Sequence, residues 1–123
     1  MKSQTGNSAA RPRFDLEART LRFTKQVIEL VNGLPRTTPN FEVGKQPVRS
    51  AGSVGANYIE ANEALSKKDF LLRIKTARKE AKESRYWLEL VECSEEQSAI
   101  RSKLIQEATE LLKILSAIVA KSS

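Results

Sequence analysis

The sequence predicts an all-α fold, an antiparallel up-down-up-down four-helix bundle. Two observations carry that prediction. Apolar and small residues recur at alternating spacings of four and three in four separate segments, the period of a helix that buries one face. Glycine, proline and serine caps gather at the joints between those segments, and the joints are short enough to fold each helix back on its predecessor. At 123 residues the chain suits one domain that buries roughly two-thirds of its unfolded surface.

The first helix is expected over about 16–34, with Asp15 as its N-cap. Leu16, Thr20, Phe23, Val27, Leu30 and Leu34 form a heptad stripe, and Leu21, Thr24, Ile28 and Val31 form a second stripe beside it. Together they cover roughly half the helix circumference. One bundle seam needs less, so the extra width predicts a second buried surface, against another subunit or an unusually deep core. Gly33 to Asn40, with Pro35 and Pro39, ends this helix and forms the first connection.

The second helix is expected over about 41–65. Pro47 lies inside it, where it removes an N–H and crowds the carbonyl of Val43, predicting a kink or a start delayed to near Pro47. Gly52, Ser53, Gly55 and Ala56 lower helix propensity but let another backbone come close. Val54, Tyr58, Ala61 and Leu65 keep the period. Ser66-Lys67-Lys68-Asp69 resembles a capping box with Asp in the place of Glu or Gln, opening a third helix over about 67–93. Phe70, Ile74, Ala77, Ala81, Ser84, Leu88 and Val91 are its heptad run, and the small middle of that run predicts close helix approach. A second capping box, Ser94 to Gln97, opens the fourth helix over about 95–121. Leu104, Ala108, Leu111, Leu115 and Ile118 are its main stripe, flanked by Ile105, Leu112 and Val119.

Charge narrows the function. The chain has 21 Lys plus Arg against 15 Asp plus Glu, a formal +6, which makes nucleic acid or another acidic surface a candidate partner. Half of that excess comes from Lys2, Arg11 and Arg13, so residues 1–14 read as a flexible basic tail ahead of a bundle over 15–123. There is no histidine, which excludes His-based acid/base chemistry, Ser-His and Cys-His nucleophiles and His-ligated metal. Cys93 is the only cysteine, so no intrachain disulfide and no Cys-rich zinc site can form, as befits a reducing cytoplasm. The small polar start argues against a signal peptide, and no stretch approaches the roughly 20 apolar residues needed to cross a bilayer. No enzyme activity, cofactor or metal is expected.

Two stretches carry a family resemblance. Arg49-Ser50-Ala51-Gly52-Ser53-Val54-Gly55-Ala56-Asn57-Tyr58-Ile59-Glu60-Ala61 follows an R-S-x-x-S-[IV]-x-x-N-x-x-E-[AG] pattern. Lys68-Asp69-Phe70, then Ala77, Glu80-Ala81 and Glu83-Ser84 before Tyr86-Trp87-Leu88, supply the second. In this order and spacing the chain resembles the small bacterial four helix bundle proteins, also called 23S rRNA intervening-sequence proteins, over roughly residues 15–120. Pro47 departs from the pattern, which usually has an apolar residue there. The resemblance implies an antiparallel four-helix bundle that assembles as a ring-like homopentamer with a central channel. More distantly, it is similar to accessory proteins of diversity-generating retroelements, implying a reverse transcriptase and nucleic acid as partners.

The densest basic region is Lys67, Lys68, Arg73, Lys75, Arg78 and Lys79, and Lys68, Lys75, Lys79 and Lys82 share one helical face. Phosphate contacts need such an array, because each cation that neutralises a phosphate releases counterions. The bland alternative is a solvated face on which Glu80, Glu83 and Glu89 pair with these cations along the helix. Arg49, Asn57, Glu60, Asp69 and Glu80 are the candidates for a polar cluster or an oligomer contact, with Arg49 neutralising an acid. Paired carboxylates could do acid/base work, but no nucleophile or metal motif accompanies them. Gly52-Ser53-Val54-Gly55 imitates a nucleic-acid clamp but sits within a helical pattern, so helix packing accounts for it better. Tyr86 and Trp87 could stack on bases, although aromatics beside a heptad stripe are more often core or interface. Two function classes follow: a nucleic-acid-binding accessory protein, or a protein-only scaffold whose apolar faces serve self-assembly and docking.

Overall fold

Each long helix hands the chain to an antiparallel neighbour, and the side-chain contacts between helices keep one register throughout. A computed structural model of the protein describes residues 12–123. Its elements are α1 (Pro12–Asn32), a short α2 (Thr38–Val43), α3 (Lys45–Asn62), α4 (Lys67–Leu90) and α5 (Glu95–Ser122), with no strand among the described residues. The four long helices close into an up-down-up-down bundle in which α1 packs on α3 and α5, and α4 packs on the same two from the opposite corner. Going up α1, Glu17, Thr24 and Val31 meet Asn62 and Ala51 of α3 and Gly44 just before it, each further back along the chain. The same reversal relates Arg19 and Gly33 of the α1 side to Glu107 and Gln97 of α5.

The heptad stripes are the core. Leu16, Thr20, Phe23, Val27, Leu30 and Leu34 are all buried, as are Ile74, Ala77, Ala81, Ser84, Leu88 and Val91. Leu104, Ala108, Leu111 and Leu115 complete the floor from α5. Burying a side chain the size of Phe23 contributes roughly 2 kcal/mol relative to leaving it in water. The most extensive helix pair is α3 with α4, where small residues face each other. The Ser50 and Ser84 hydroxyl oxygens lie 2.8 Å apart there, and Ser84 Oγ donates to the Glu80 carbonyl at 2.9 Å. Each hydroxyl has one proton, so Ser50 donates to Ser84.

Several expected boundaries are corrected. Residues 1–11 of the expected tail lie outside the described residues, and α1 begins at Pro12, where a missing N–H costs nothing. Asp15 is therefore a helical residue rather than a cap. The helix expected over 41–65 is two: α2, capped by Thr37 Oγ1 accepting from Asn40 N, and α3. The break falls at Gly44 and α3 starts two residues before Pro47, the delayed start expected there; Pro47 is the third residue of α3, where an N–H would have no helical acceptor. Gly44 packs so tightly that a Cβ there would lie 2.6 Å from the Asn40 carbonyl oxygen and 3.2 Å from Val31. Leu65 falls beyond α3 and is fully exposed, and α4 ends at Leu90 rather than Cys93.

Caps and polar clips hold the ends. Ser66 accepts from Asp69 N, and Ser94 and Gln97 form the complete reciprocal capping box. Gln97 Nε2 also donates to the Gly33 carbonyl, tying α5 to the end of α1. Asn40 is buried and uses its whole amide: Nδ2 donates to the carbonyls of Pro35 and Glu92, both at 2.9 Å, and Oδ1 accepts from Glu92 N at 2.8 Å. At the other end Arg19 grips Glu107 with two hydrogen bonds, 2.6 and 2.9 Å. That hydrogen bond raises the Arg19 pKa above its ordinary value; burial opposes the rise, and the charges of Glu107 and Glu110 add to it. A raised cation pKa stabilises the fold fully below the unfolded value and is lost only as pH climbs through the raised one, so this clip persists into strong alkali.

Candidate nucleic-acid interface

α4 buries one side and turns the other wholly to water. Its buried face carries Ile74, Ala77, Ala81, Ser84 and Leu88. At 100° per residue, Lys68, Leu72, Lys75, Lys79 and Tyr86 fall within about 40° of the opposite direction and Lys82 within about 60°, and all six are exposed. Lys67 is exposed beside the start of this band, and Arg78 is half-buried on its flank. Arg73 lies on the other flank, 3.8 Å from Asp69 one turn back.

Of the three acids expected to neutralise this face, Glu89 is exposed on the same helix and in no ion pair within 4.0 Å among the described residues, and the other two face α3. Glu80 and Glu83 lean across the α3–α4 seam toward Arg49, at 3.9 and 3.7 Å. Glu80 is buried, and its Oε1 has no hydrogen-bond donor, so Arg49 supplies its compensating charge. Among the described residues Lys67, Lys68, Lys75, Arg78, Lys79 and Lys82 form no ion pair within 4.0 Å. Exposed acid–base pairs contribute little in any case, so the significance lies in the field: a row of exposed cations held in no ion pair within 4.0 Å.

The expected polar cluster separates into pieces. Arg49 and Glu80 meet, but no hydrogen bond or ion pair among the described residues joins Asn57, Glu60 or Asp69 to them. Asn57 Nδ2 donates to the Ser53 carbonyl within its own helix, Glu60 is exposed, and Asp69 belongs to Arg73. A spacing of three places two residues on one face but does not say which face, and that is why the cluster fails. The glycine pattern in α3 also divides. A Cβ at Gly55 would lie 3.0 Å from Thr20 Oγ1 on α1, whereas one at Gly52 would meet nothing within 4 Å. Among the described residues no group of three or more His, Cys, Asp or Glu side chains could hold a metal ion. No described helix is long and apolar enough to cross a membrane.

A model of the 23S rRNA-intervening sequence proteins matches residues 14–117. The chain belongs to that family. A solved structure from Bacteroides thetaiotaomicron, a protein of unknown function from the S23 ribosomal protein family, is 32% identical. The match covers 88% of this chain and 97% of that one with a TM-score of 0.77. No curated protein matches. Membership accounts for the four-helix bundle and for the two sequence patterns on α3 and α4, and it leaves the biochemical role to the surface.

The sequence left the second feature of that surface open, since Tyr86 could stack on bases or belong to core or interface. Tyr86 is 59% exposed, while Trp87 beside it is half-buried. Leu21 and Ile28 of the second α1 stripe are also exposed, whereas Thr24 and Val31 of the same stripe are half-buried, Thr24 against α3 and Val31 against the core. A groove of about 560 Å³ runs from the end of α1 past α2 to the start of α3, with Val31, Leu34 and Phe41 in its wall and Arg36, Lys45 and Arg49 at its edge.

Proposed function

We propose that the protein is a non-enzymatic, oligomeric accessory factor of the cytoplasm that holds RNA or DNA by phosphate contacts on the outer face of α4. The observation that supports it is that Glu80 and Glu83 face Arg49, while Lys68, Lys75, Lys79 and Lys82 stand in one exposed row with no ion pair within 4.0 Å among the described residues. Family likeness extends the proposal to a ring-like homopentamer, in which the row would repeat around an axis and the summed field would exceed that of one copy. A reverse transcriptase or a ribonucleoprotein is the protein partner this likeness favours. The test is charge reversal: Lys75→Glu with Lys79→Glu should abolish binding of structured RNA and duplex DNA, while removal of residues 1–11 should leave most of it.

A protein-only scaffold is the second reading, favoured by the exposed Leu21 and Ile28 on α1 and Phe41 at the groove. Those side chains suit self-assembly or a docked partner. Under that reading the Lys75→Glu, Lys79→Glu double variant keeps every partner of the parent.

A further inference from the structure

Beyond its last cation the lysine row carries an aromatic ring. Tyr86 sits one turn beyond Lys82 in the same exposed band, with 59% of its surface open, and Leu72 and Leu90 are exposed at 59% and 46% along it. A face meant only for the phosphates of a duplex gains nothing from large apolar groups, because a paired, stacked helix offers them no base face. An unpaired strand offers both: phosphates for the cations and a free π-face for the ring.

Trp87 makes the ring a usable platform. Its centroid lies 5.0 Å from that of Tyr86 at an interplanar angle of 76°. A T-shaped contact of this kind covers at most one face of the tyrosine, steadies its rotamer and lowers the entropy lost when a base stacks. From Lys68 to Tyr86 the band is about 27 Å long at the helical rise of ~1.5 Å per residue. A strand stacked at ~3.4 Å per nucleotide spans that length in about eight nucleotides.

Resting on the phosphate-binding role of α4, we infer that its outer face is a single-strand site: Lys68, Lys75, Lys79 and Lys82 track the backbone of an unpaired strand and Tyr86 stacks on one of its bases. The site is tolerant of sequence, since any base has a face to stack. Trp87 is the only tryptophan in the chain, so its emission reports occupancy of the ring beside it.

The experiment titrates full-length protein with an eight-nucleotide oligouridylate, an eight-nucleotide oligothymidylate and an eight-base-pair duplex, reading anisotropy and Trp87 emission. The parent should prefer both single strands to the duplex and show quenched emission with them. Tyr86→Ala should lose about tenfold in single-strand affinity with duplex affinity unchanged, and Tyr86→Phe should retain the parent behaviour. A difference between the two single strands tells RNA from DNA as the preferred source and leaves the site intact. Equal affinity for strand and duplex, with Tyr86→Ala silent, overturns the single-strand site while the phosphate-binding reading survives. Failure of all three probes to bind overturns both. Tyr86 is exposed, so its variants should fold, and an unchanged melting temperature verifies it.

Discussion

Arg49 on α3 stands 3.7 Å from Glu83 and 3.9 Å from Glu80 on α4. One cation from the neighbouring helix thus faces both carboxylates, the buried Glu80 and the partly exposed Glu83. Arg49→Ala removes the charge facing the buried Glu80, whose Oε1 already lacks a donor. The expected cost is about 1–3 kcal/mol, read as a lower midpoint in urea. Adding Glu80→Gln should recover part of it, because a neutral amide needs no counter-charge. Freed Glu83 can then pair with Lys79 one turn back, so nucleic-acid affinity should fall about two- to threefold. An unchanged midpoint would mean that the pair holds nothing.

The buried hydroxyl pair is expected to be weak and coupled. Ser50→Ala leaves Ser84 bonded to the Glu80 carbonyl, and Ser84→Ala leaves Ser50 only the long 3.4 Å contact to the Pro47 carbonyl. Each change should cost about 1 kcal/mol. The double variant should cost less than the two together by roughly 0.5 kcal/mol or more, because removing both partners leaves nothing stranded. Additive denaturation free energies would show that the two hydroxyls do not depend on each other.

Two glycines three residues apart should respond in opposite senses. Gly52→Ala adds a methyl where nothing lies within 4 Å, so it gains helix propensity and should stabilise by about 0.5–1 kcal/mol. Gly55→Ala drives a Cβ to 3.0 Å from Thr20 Oγ1 and 3.3 Å from Thr20 Cβ. There the methyl must displace a buried side chain, and the gain should vanish or reverse. Thermal melts of the two variants decide it, and a shared sign would contradict the packing described.

The core was legible in the sequence because burial has a period. The stripes on α1, α4 and α5 needed only the spacing of Leu, Phe, Ile and Ala. Local caps were equally readable, since Ser94 and Gln97 bind groups within one turn. What escaped was set by partners far along the chain. Asn40 finds Glu92 across 52 residues and Arg19 finds Glu107 across 88, and no spacing rule links them. The lysine row was visible as a face, but its charge depended on Arg49, which lies on another helix. Tyr86 stands two residues from both Ser84 and Leu88 of the heptad stripe, and two residues, or 200° of rotation, separate core from solvent.

The second α1 stripe bears on assembly. Leu21 and Ile28 are 57% and 40% exposed, so Leu21→Lys with Ile28→Lys should leave the melting temperature of the isolated fold nearly unchanged. If α1 carries the contact between copies, the double variant should sediment as a monomer where the parent sediments as an oligomer. A parent and variant of the same mass would remove α1 from any interface.

The most direct measurement is the salt dependence of nucleic-acid affinity, for the parent and for Lys75→Glu with Lys79→Glu, by anisotropy with a structured RNA. Four phosphate contacts from one copy predict a slope of about −3 in log K against log salt, a loss of about 50- to 150-fold between roughly 50 and 200 mM. The double variant should lose most of both affinity and slope. Binding that is flat with salt, or unaltered by reversing Lys75 and Lys79, would contradict a phosphate-binding face on α4.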